Sequence, residues 1–178
     1  GFLGTYYYTF RQIDNLFDLQ TEIAESVAIQ MKAIITPEER TLIAKNPTKN
    51  PEAYDLYLRG KEFLFRGGKL NFANAIHQFE KAIDLDPEFA QAYVWLGMGY
   101  FQQSGSKDYL NENYGDTMKY FARKALAMDP NLSDGYWLLA EYYWHLTQND
   151  SSIYYAKKAI EIDPNNGLAY QALGVNYY

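Results

Sequence analysis

The stretch Ala-Ile-Glu-Ile-Asp-Pro at residues 159–164 decides the fold, because the chain contains it three times with small changes. The earlier copies read Ala-Ile-Asp-Leu-Asp-Pro at residues 82–87 and Ala-Leu-Ala-Met-Asp-Pro at residues 125–130. The last two of the three prolines, Pro130 and Pro164, are 34 residues apart. A repeat of that length is typical of stacked helix pairs, each of which buries its apolar face against the next pair. The sequence therefore predicts an all-α solenoid.

The apolar spacing before each proline supports this prediction. Ala75, Ile76, Phe79, Ala82 and Ile83 fall at i, i+1, i+4, i+7 and i+8, which is one stripe of a helix with a period of 3.6 residues. The Asp-Pro step then ends the helix, because proline disfavours helical geometry in the residue before it and cannot continue the hydrogen bonding. Each copy of the stretch is thus expected to close the second helix of a pair.

The residues within each period resemble the tetratricopeptide repeat family. The third unit fits without a gap at positions 4, 7, 8, 11, 20, 24, 27 and 32, which are Tyr136, Leu139, Ala140, Tyr143, Ser152, Ala156, Ala159 and Pro164. The second unit has Gly97 at position 8 and about nine extra residues between its helices. The first unit is placed with Tyr54 at position 4 and Leu58 at position 8, with about five extra residues. The resemblance implies a right-handed α-α superhelix, in which small residues let helices approach and aromatic residues fill the spaces around them.

The repeats are expected to form one domain, 51–178, with units 51–88, 89–131 and 132–165 and a partial unit 166–178. The preceding residues 1–50 follow a different pattern. An apolar stripe from Ile13 to Ile35 predicts one long amphipathic helix, and Thr36-Pro37-Glu38-Glu39 predicts the start of a short second helix to about Ala44. Residues 46–51, which contain two prolines, are the predicted linker into the solenoid.

Residues 16–24, 36–39 and 52–60 together resemble the junction of certain multidomain bacterial signalling proteins. Those proteins join a cyclase, kinase or winged-helix output domain to a C-terminal tetratricopeptide array. The resemblance implies that this chain is the repeat region of such a protein. The chain begins at Gly1 and ends after a first helix of a fourth unit. We therefore expect a truncated piece whose uncapped C-terminal helix, with Leu168, Leu173 and Tyr177, forms homo-oligomers.

Composition excludes several functions. The formal charge is −6 and no basic cluster occurs, which argues against direct nucleic-acid binding. The chain has no cysteine, and its two histidines lack the spacing of metal ligands, so we expect no cofactor and no metal. No run of about 18 apolar residues occurs, and no direct membrane insertion is expected. The compartment is not predicted: the cytoplasm is the default, and the periplasm is the alternative if the parent protein is membrane-anchored.

The resemblance places the functional surface on the concave wall, at positions 2, 5, 9, 12 and 13 of each first helix. In this register the wall mixes charges with aromatic residues, and it lacks the lysine, arginine and asparagine set that clamps a C-terminal carboxylate in some family members. We therefore expect an extended or helical peptide with apolar or basic side chains, anchored on Trp137, Trp144, Phe101 and Met98. The candidate groove residues are Arg59, Val94, Met98, Phe101, Trp137, Glu141, Trp144 and His145.

Each of these assignments has an alternative. Trp137 and Trp144 could pack within their own stack, and His145 is better explained as a groove or surface histidine than as a metal ligand. The insertion at residues 104–115 is either a functional loop or tolerated drift. Three function classes follow from the sequence: a non-catalytic protein-interaction scaffold, a regulatory or sensory module of a larger signalling enzyme or transcriptional regulator, and a hydrolase using Glu141 with His145. The scaffold is the prediction, since repeat packing accounts for nearly the whole sequence.

Overall fold

The computed structural model describes residues 16–31, 36, 47–105 and 113–177. The chain divides into two compact units, residues 1–46 and 47–178. In the first unit the described helix is α1, Leu16–Gln30, which lies inside the predicted amphipathic stripe. The rest of that stripe and most of the predicted short helix after Thr36 lie outside the described residues. The predicted domain limits at residues 50 and 51 stay a prediction.

The second unit consists of helices throughout its described residues, which confirms the predicted fold class. The helices are α2 Pro51–Arg66, α3 Lys69–Leu85, α4 Ala90–Ser104, α5 Asn113–Met128, α6 Ser133–His145, α7 Asn149–Ile162 and α8 Gly167–Gly174, followed by the 3-10 turn Val175–Tyr177. Successive helices pair as α2 with α3, α4 with α5, and α6 with α7. Much of the 104–115 insertion, residues 106–112, lies outside the described residues.

The Asp-Pro steps end helices as predicted. Asp86 and Asp163 follow the last residues of α3 and α7 with extended backbones, at φ −142° and −132°. Both aspartates also accept a hydrogen bond from the backbone N–H two residues further on, Asp86 from Glu88 and Asp163 from Asn165, at 3.1 and 2.9 Å. The proline ends the helix, and the aspartate side chain then stabilises the turn that follows.

The first helices of the pairs form the inner layer of the stack. α2 contacts α4, α4 contacts α6, and α6 contacts α8, whereas the second helices make their main contacts with the first helices on either side. In a curved stack of helix pairs, the layer whose members approach one another is the concave one. The surface formed by α2, α4 and α6 is therefore the inner wall of the solenoid.

Equivalent positions in successive units make equivalent contacts. The hydroxyls of Tyr93 and Tyr136 each donate to the carbonyl of the proline six residues earlier, at 3.1 Å. A lysine of the paired second helix lies over each ring, Lys124 over Tyr93 at 4.3 Å and Lys158 over Tyr136 at 4.4 Å. These repeated contacts show that the second and third repeats, residues 89–131 and 132–165, share one packing register.

The first tandem repeat, residues 51–88, departs from its predicted register. A Cβ built on Gly60 would lie only 2.5 Å from the ring of Phe79, while Leu58 is 42% exposed. Gly60, and not Leu58, therefore occupies the close-contact position between α2 and α3. The predicted register of this unit is wrong by two residues, because it followed the aromatic match at Tyr54 rather than the small residue that lets two backbones meet. The correction moves Lys61, instead of Arg59, to the inner wall.

Candidate functional site: the inner wall

Three aromatic side chains cross the inner wall, one from each first helix. Phe65 of α2 meets the indole of Trp95 of α4 edge-on, with ring centroids 5.7 Å apart. Trp95 in turn lies 5.5 Å from Trp137 of α6. We call these three residues the aromatic ladder. Phe65 is 68% exposed, whereas Trp95 and Trp137 are buried, so only the α2 end of the ladder is open to solvent.

Lys61 lies against the ladder without an ionic partner. Its Nζ is 4.4 Å from the centre of the Trp95 ring and 5.5 Å from that of Tyr57. Burial lowers the pKa of Lys61, and the negative charge of Asp134 offsets part of this effect. Among the described residues no carboxylate reaches the ion-pair distance of its Nζ. The ammonium group is therefore held by the two aromatic faces and by the longer-range field of Asp134.

Asp134, at the start of α6, lies near several polar groups that belong to different helices. Burial raises its pKa, and Lys61, Trp95 and Asn166 work in the opposite direction. The Nδ2 of Asn166 donates to the carboxylate at 3.1 Å. The Trp95 Nε1–H lies near enough to favour the charged carboxylate, yet no acceptor in the described part of the chain meets the geometry of a hydrogen bond to it. We regard Trp95 as an electrostatic neighbour of Asp134 and not as its hydrogen-bond donor.

Asn166 connects this group to the end of the stack. Its side-chain oxygen caps α8 by accepting from the Ala169 N–H at 3.0 Å, and its Nδ2 also donates to Ser133 Oγ at 2.8 Å. Ser133 donates in turn to the carbonyl of Ala159 in α7 at 2.8 Å. The side chains of Asn166 and Ser133 are buried, and these bonds satisfy them. The polar chain thus fixes the start of α6 against the end of α7 and the start of α8.

Four of the predicted groove residues are buried rather than presented to a ligand. Val94, Met98, Phe101 and Trp137 are between 0% and 9% exposed. The expectation that Met98, Phe101 and Trp137 anchor a ligand on an open wall is corrected for this structure, since their side chains are already covered. For Trp137, the alternative of packing within the stack describes what the structure shows, and its ring contact with Trp95 is part of the reason.

Arg59 is the other predicted groove residue that the structure assigns to a different surface. Its Nε pairs with Asp55 one turn earlier in α2 at 2.8 Å, and both side chains are more than half exposed. Two residues along a helix correspond to a rotation of about 200°. Arg59 therefore lies on a different face of α2 from Lys61 and away from the aromatic ladder.

Glu141, Trp144 and His145 stay accessible near the C-terminal end of α6. Trp144 is 37% exposed, and its ring meets the His145 imidazole at a centroid distance of 4.6 Å. His145 also contacts Phe101 of α4, with ring centroids 4.3 Å apart. Burial raises the pKa of the half-buried Glu141, and the nearby indole N–H of Trp137 opposes this rise. The role of these three residues in binding stays a prediction.

Four residues of the inner wall were not predicted, namely Tyr57, Lys61, Phe65 and Trp95. A signal for the three residues of α2 was present in the sequence: Gly60 is its small residue, and placing it at position 8 brings Tyr57, Lys61 and Phe65 to positions 5, 9 and 13. Within the described ranges, no group of three or more metal-ligating side chains occurs. No helix in that part of the chain is long and apolar enough to cross a membrane.

Comparison with known proteins identifies the repeated helix pairs. Two family models, both described as tetratricopeptide repeat, match residues 57–108 and 133–166. The chain contains tetratricopeptide repeats. The predicted resemblance is thereby confirmed, and the concave wall of α2, α4 and α6 corresponds to the inner surface of a tetratricopeptide solenoid.

Solved tetratricopeptide structures agree with the fold. The first such domain of Spaghetti (RPAP3), bound to the HSP90 peptide SRMEEVD, has a TM-score of 0.57 at 16% identity and covers 73% of this chain and 96% of its own. The TPR2B domain of yeast Sti1 in its pHsp70 complex has a TM-score of 0.55 at 21% identity, covering 72% and 95%. At these identities the likeness concerns the fold alone.

One protein of similar sequence is a putative adenylate cyclase. The putative adenylate cyclase 3 of Rhizobium meliloti (strain 1021) is 25% identical over 136 residues, which cover 73% of this chain. The chain spans 22% of the length of that relative.

Proposed function

We propose that the repeats act as a non-catalytic scaffold that holds a peptide or protein segment of a partner against the inner wall. The observation that carries this proposal is the exposure of two aromatic side chains on the first helices α2 and α6, Phe65 at 68% and Trp144 at 37%. Large aromatic groups are costly to leave in water and are enriched among the residues that dominate binding energy. The tetratricopeptide fold supports the role of an interaction scaffold, and two of the similar structures are complexes, one with an HSP90 peptide and one with pHsp70.

The charges of the wall favour a partner with apolar or basic side chains. Asp134 and Glu141 contribute two carboxylates, and Lys61 contributes one cation that the field of Asp134 already offsets in part. A ligand with a free carboxylate would meet net repulsion near Glu141, whereas an apolar or cationic side chain would not. The partner is therefore expected to differ in charge from the acidic peptide that Spaghetti (RPAP3) binds.

The test uses peptides selected from a random library for binding to this protein, with affinities measured by calorimetry. Trp144→Ala should weaken a selected peptide by about tenfold or more, which is the size of a typical aromatic hot spot. Tyr154→Ala is the control, because Tyr154 is an exposed aromatic residue, at 59% against 37% for Trp144, on the second helix α7. Equal losses in the two variants, or a loss only with Tyr154→Ala, would place binding elsewhere and end the proposal.

A second candidate function is a regulatory or sensory module within a larger signalling enzyme. It is favoured by the similarity to the putative adenylate cyclase 3 over 136 residues. On this proposal, occupation of the inner wall alters an output domain joined to the repeats. The test is the full-length gene product: a selected peptide should change its nucleotide-cyclase or other output activity, and Trp144→Ala should remove the response. An output that ignores saturating peptide would exclude this role.

A further inference from the structure

The surface around Glu141 combines three features that recognise one kind of side chain. Glu141 follows Trp137 by four residues and precedes Trp144 and His145 by three and four, so all four side chains lie on one face of α6. The His145 ring contacts Phe101 and Trp144, with centroid distances of 4.3 and 4.6 Å. Glu141 thus shares one face of α6 with an aromatic cluster that includes the partly exposed Trp144.

The charge of Glu141 has no compensating cation in the described part of the chain. No ion pair joins it to a lysine or arginine among those residues, and the polar group that lowers its pKa is the neutral indole of Trp137. His145 does not supply the missing charge, because partial burial lowers its pKa below the ordinary value of 6.5 and leaves the ring neutral near pH 7. Lys61, the cation of the inner wall, lies at Trp95 within the field of Asp134.

We propose that Glu141, with Trp144 and the His145 ring, binds an arginine side chain of the partner segment. The inference rests on the proposed function and specifies the chemistry of its ligand. A guanidinium group donates two parallel N–H bonds to a carboxylate while its flat face stacks on an indole, and it gives up hydration more readily than an ammonium group. The exposed part of Trp144 offers such a face, and Glu141 offers the acceptor. A purely apolar ligand would leave the half-buried carboxylate without a partner.

The experiment compares two peptides of the same shape and different charge. Acetyl-Ala-Ala-Arg-Ala-Ala-amide and its citrulline counterpart are titrated into ¹⁵N-labelled protein, and the indole N–H signals of the three tryptophans, assigned by single Trp→Phe variants, are followed by NMR. We expect saturable shifts of the Trp144 signal, with the arginine peptide bound about tenfold more tightly than the citrulline peptide, as for a charge-assisted hydrogen bond. Equal affinities of the two peptides would overturn the proposal.

Substitution of the carboxylate gives the second arm. Glu141→Gln keeps the shape of the side chain and should reduce the preference for arginine over citrulline to about twofold or less, while citrulline binding stays unchanged. Glu161→Gln, which removes an exposed carboxylate on α7, is the control and should keep the full preference. A preference that survives Glu141→Gln would also overturn the proposal. If the arginine proposal is overturned while selected peptides still require Trp144, the scaffold function stands and only the arginine site is lost.

Discussion

Gly60→Ala tests the packing register on which the inner wall depends. The added Cβ would lie 2.5, 2.7 and 2.9 Å from three carbons of the Phe79 ring, whereas carbon atoms in contact are normally about 3.5–4.0 Å apart. Phe79 is fully buried, and the ring of Tyr57 lies 6.2 Å from it, so the ring has no open space into which to withdraw. α2 and α3 must therefore separate or shift to admit one methyl group.

The expected cost follows from two opposing effects. Overpacking a tight contact costs about 1–3 kcal/mol, and three contacts shorter than 3.0 Å place this site at the upper end. Replacing a helical glycine by alanine returns about 0.5–1 kcal/mol through helix propensity. The net destabilisation is about 2 kcal/mol, which corresponds to a fall in Tm of about 4–8 °C for a chain of this length.

The assay is urea unfolding followed by circular dichroism, with two matched variants. Gly174→Ala adds a methyl group at the end of α8 where no atom lies within 4 Å, and it should leave stability unchanged or slightly raised. Leu58→Ala removes a side chain that is 42% exposed and should cost about 1 kcal/mol. Should Gly60→Ala prove harmless while Leu58→Ala costs more than about 2 kcal/mol, the earlier register would be right and Lys61 would leave the inner wall.

Three further predictions concern the wall itself. Trp137→Ala should lower the free energy of unfolding by about 3–5 kcal/mol because its ring is buried, whereas Trp144→Ala should cost less than about 1 kcal/mol; equal losses in urea unfolding would contradict this difference. Asn166→Ala should cost about 2 kcal/mol or more, since it removes the cap of α8 and the bonds to Ser133 and Asp134; a loss below about 0.5 kcal/mol would show that the network is dispensable. Burial raises the pKa of Asp134 and Glu141 in the fold, so their contribution to stability falls as pH rises from their ordinary pKa through the folded one. The double variant Asp134→Asn with Glu141→Gln should therefore lose less stability than the parent between pH 4 and 7, and an identical slope in both proteins would refute the assignment.

The fold could be predicted from the sequence because local rules coincide at the same residues. The Asp-Pro steps end α3, α5 and α7, and the small residues Ala140, Ser152 and Ala159 of the third repeat are fully buried. In the first unit, two local rules disagreed. An aromatic residue fits position 4 at Tyr54, whereas the close approach of two helices requires a small residue and selects Gly60. The need for a small residue decides the register. An aromatic ring can pack at several positions of a helix, whereas a close helix contact requires a small residue at one position.

The exposure of the wall could not be predicted in the same way. Trp137 and Trp144 are both aromatic, both on α6 and seven residues apart, so no local pattern distinguishes them. The difference comes from neighbouring units: Trp137 meets Trp95 of α4, which meets Phe65 of α2, whereas Trp144 is covered only partly. Burial on a concave surface depends on which side chains the curvature brings together, and that information lies outside any single repeat.

The inner wall also couples units that are not neighbours along the chain. In most solenoids each repeat contacts only the next one, so that stability is a sum of local terms. Here the charge of Asp134, in the third unit, acts on Tyr57 and Lys61 in the first, and Asn166 extends the same group to α8. Any change in the spacing of Lys61 and Asp134 changes the electrostatic energy of both. Because the aromatic ladder and these charges link α2, α4 and α6, the packing of the three first helices is coupled beyond nearest neighbours.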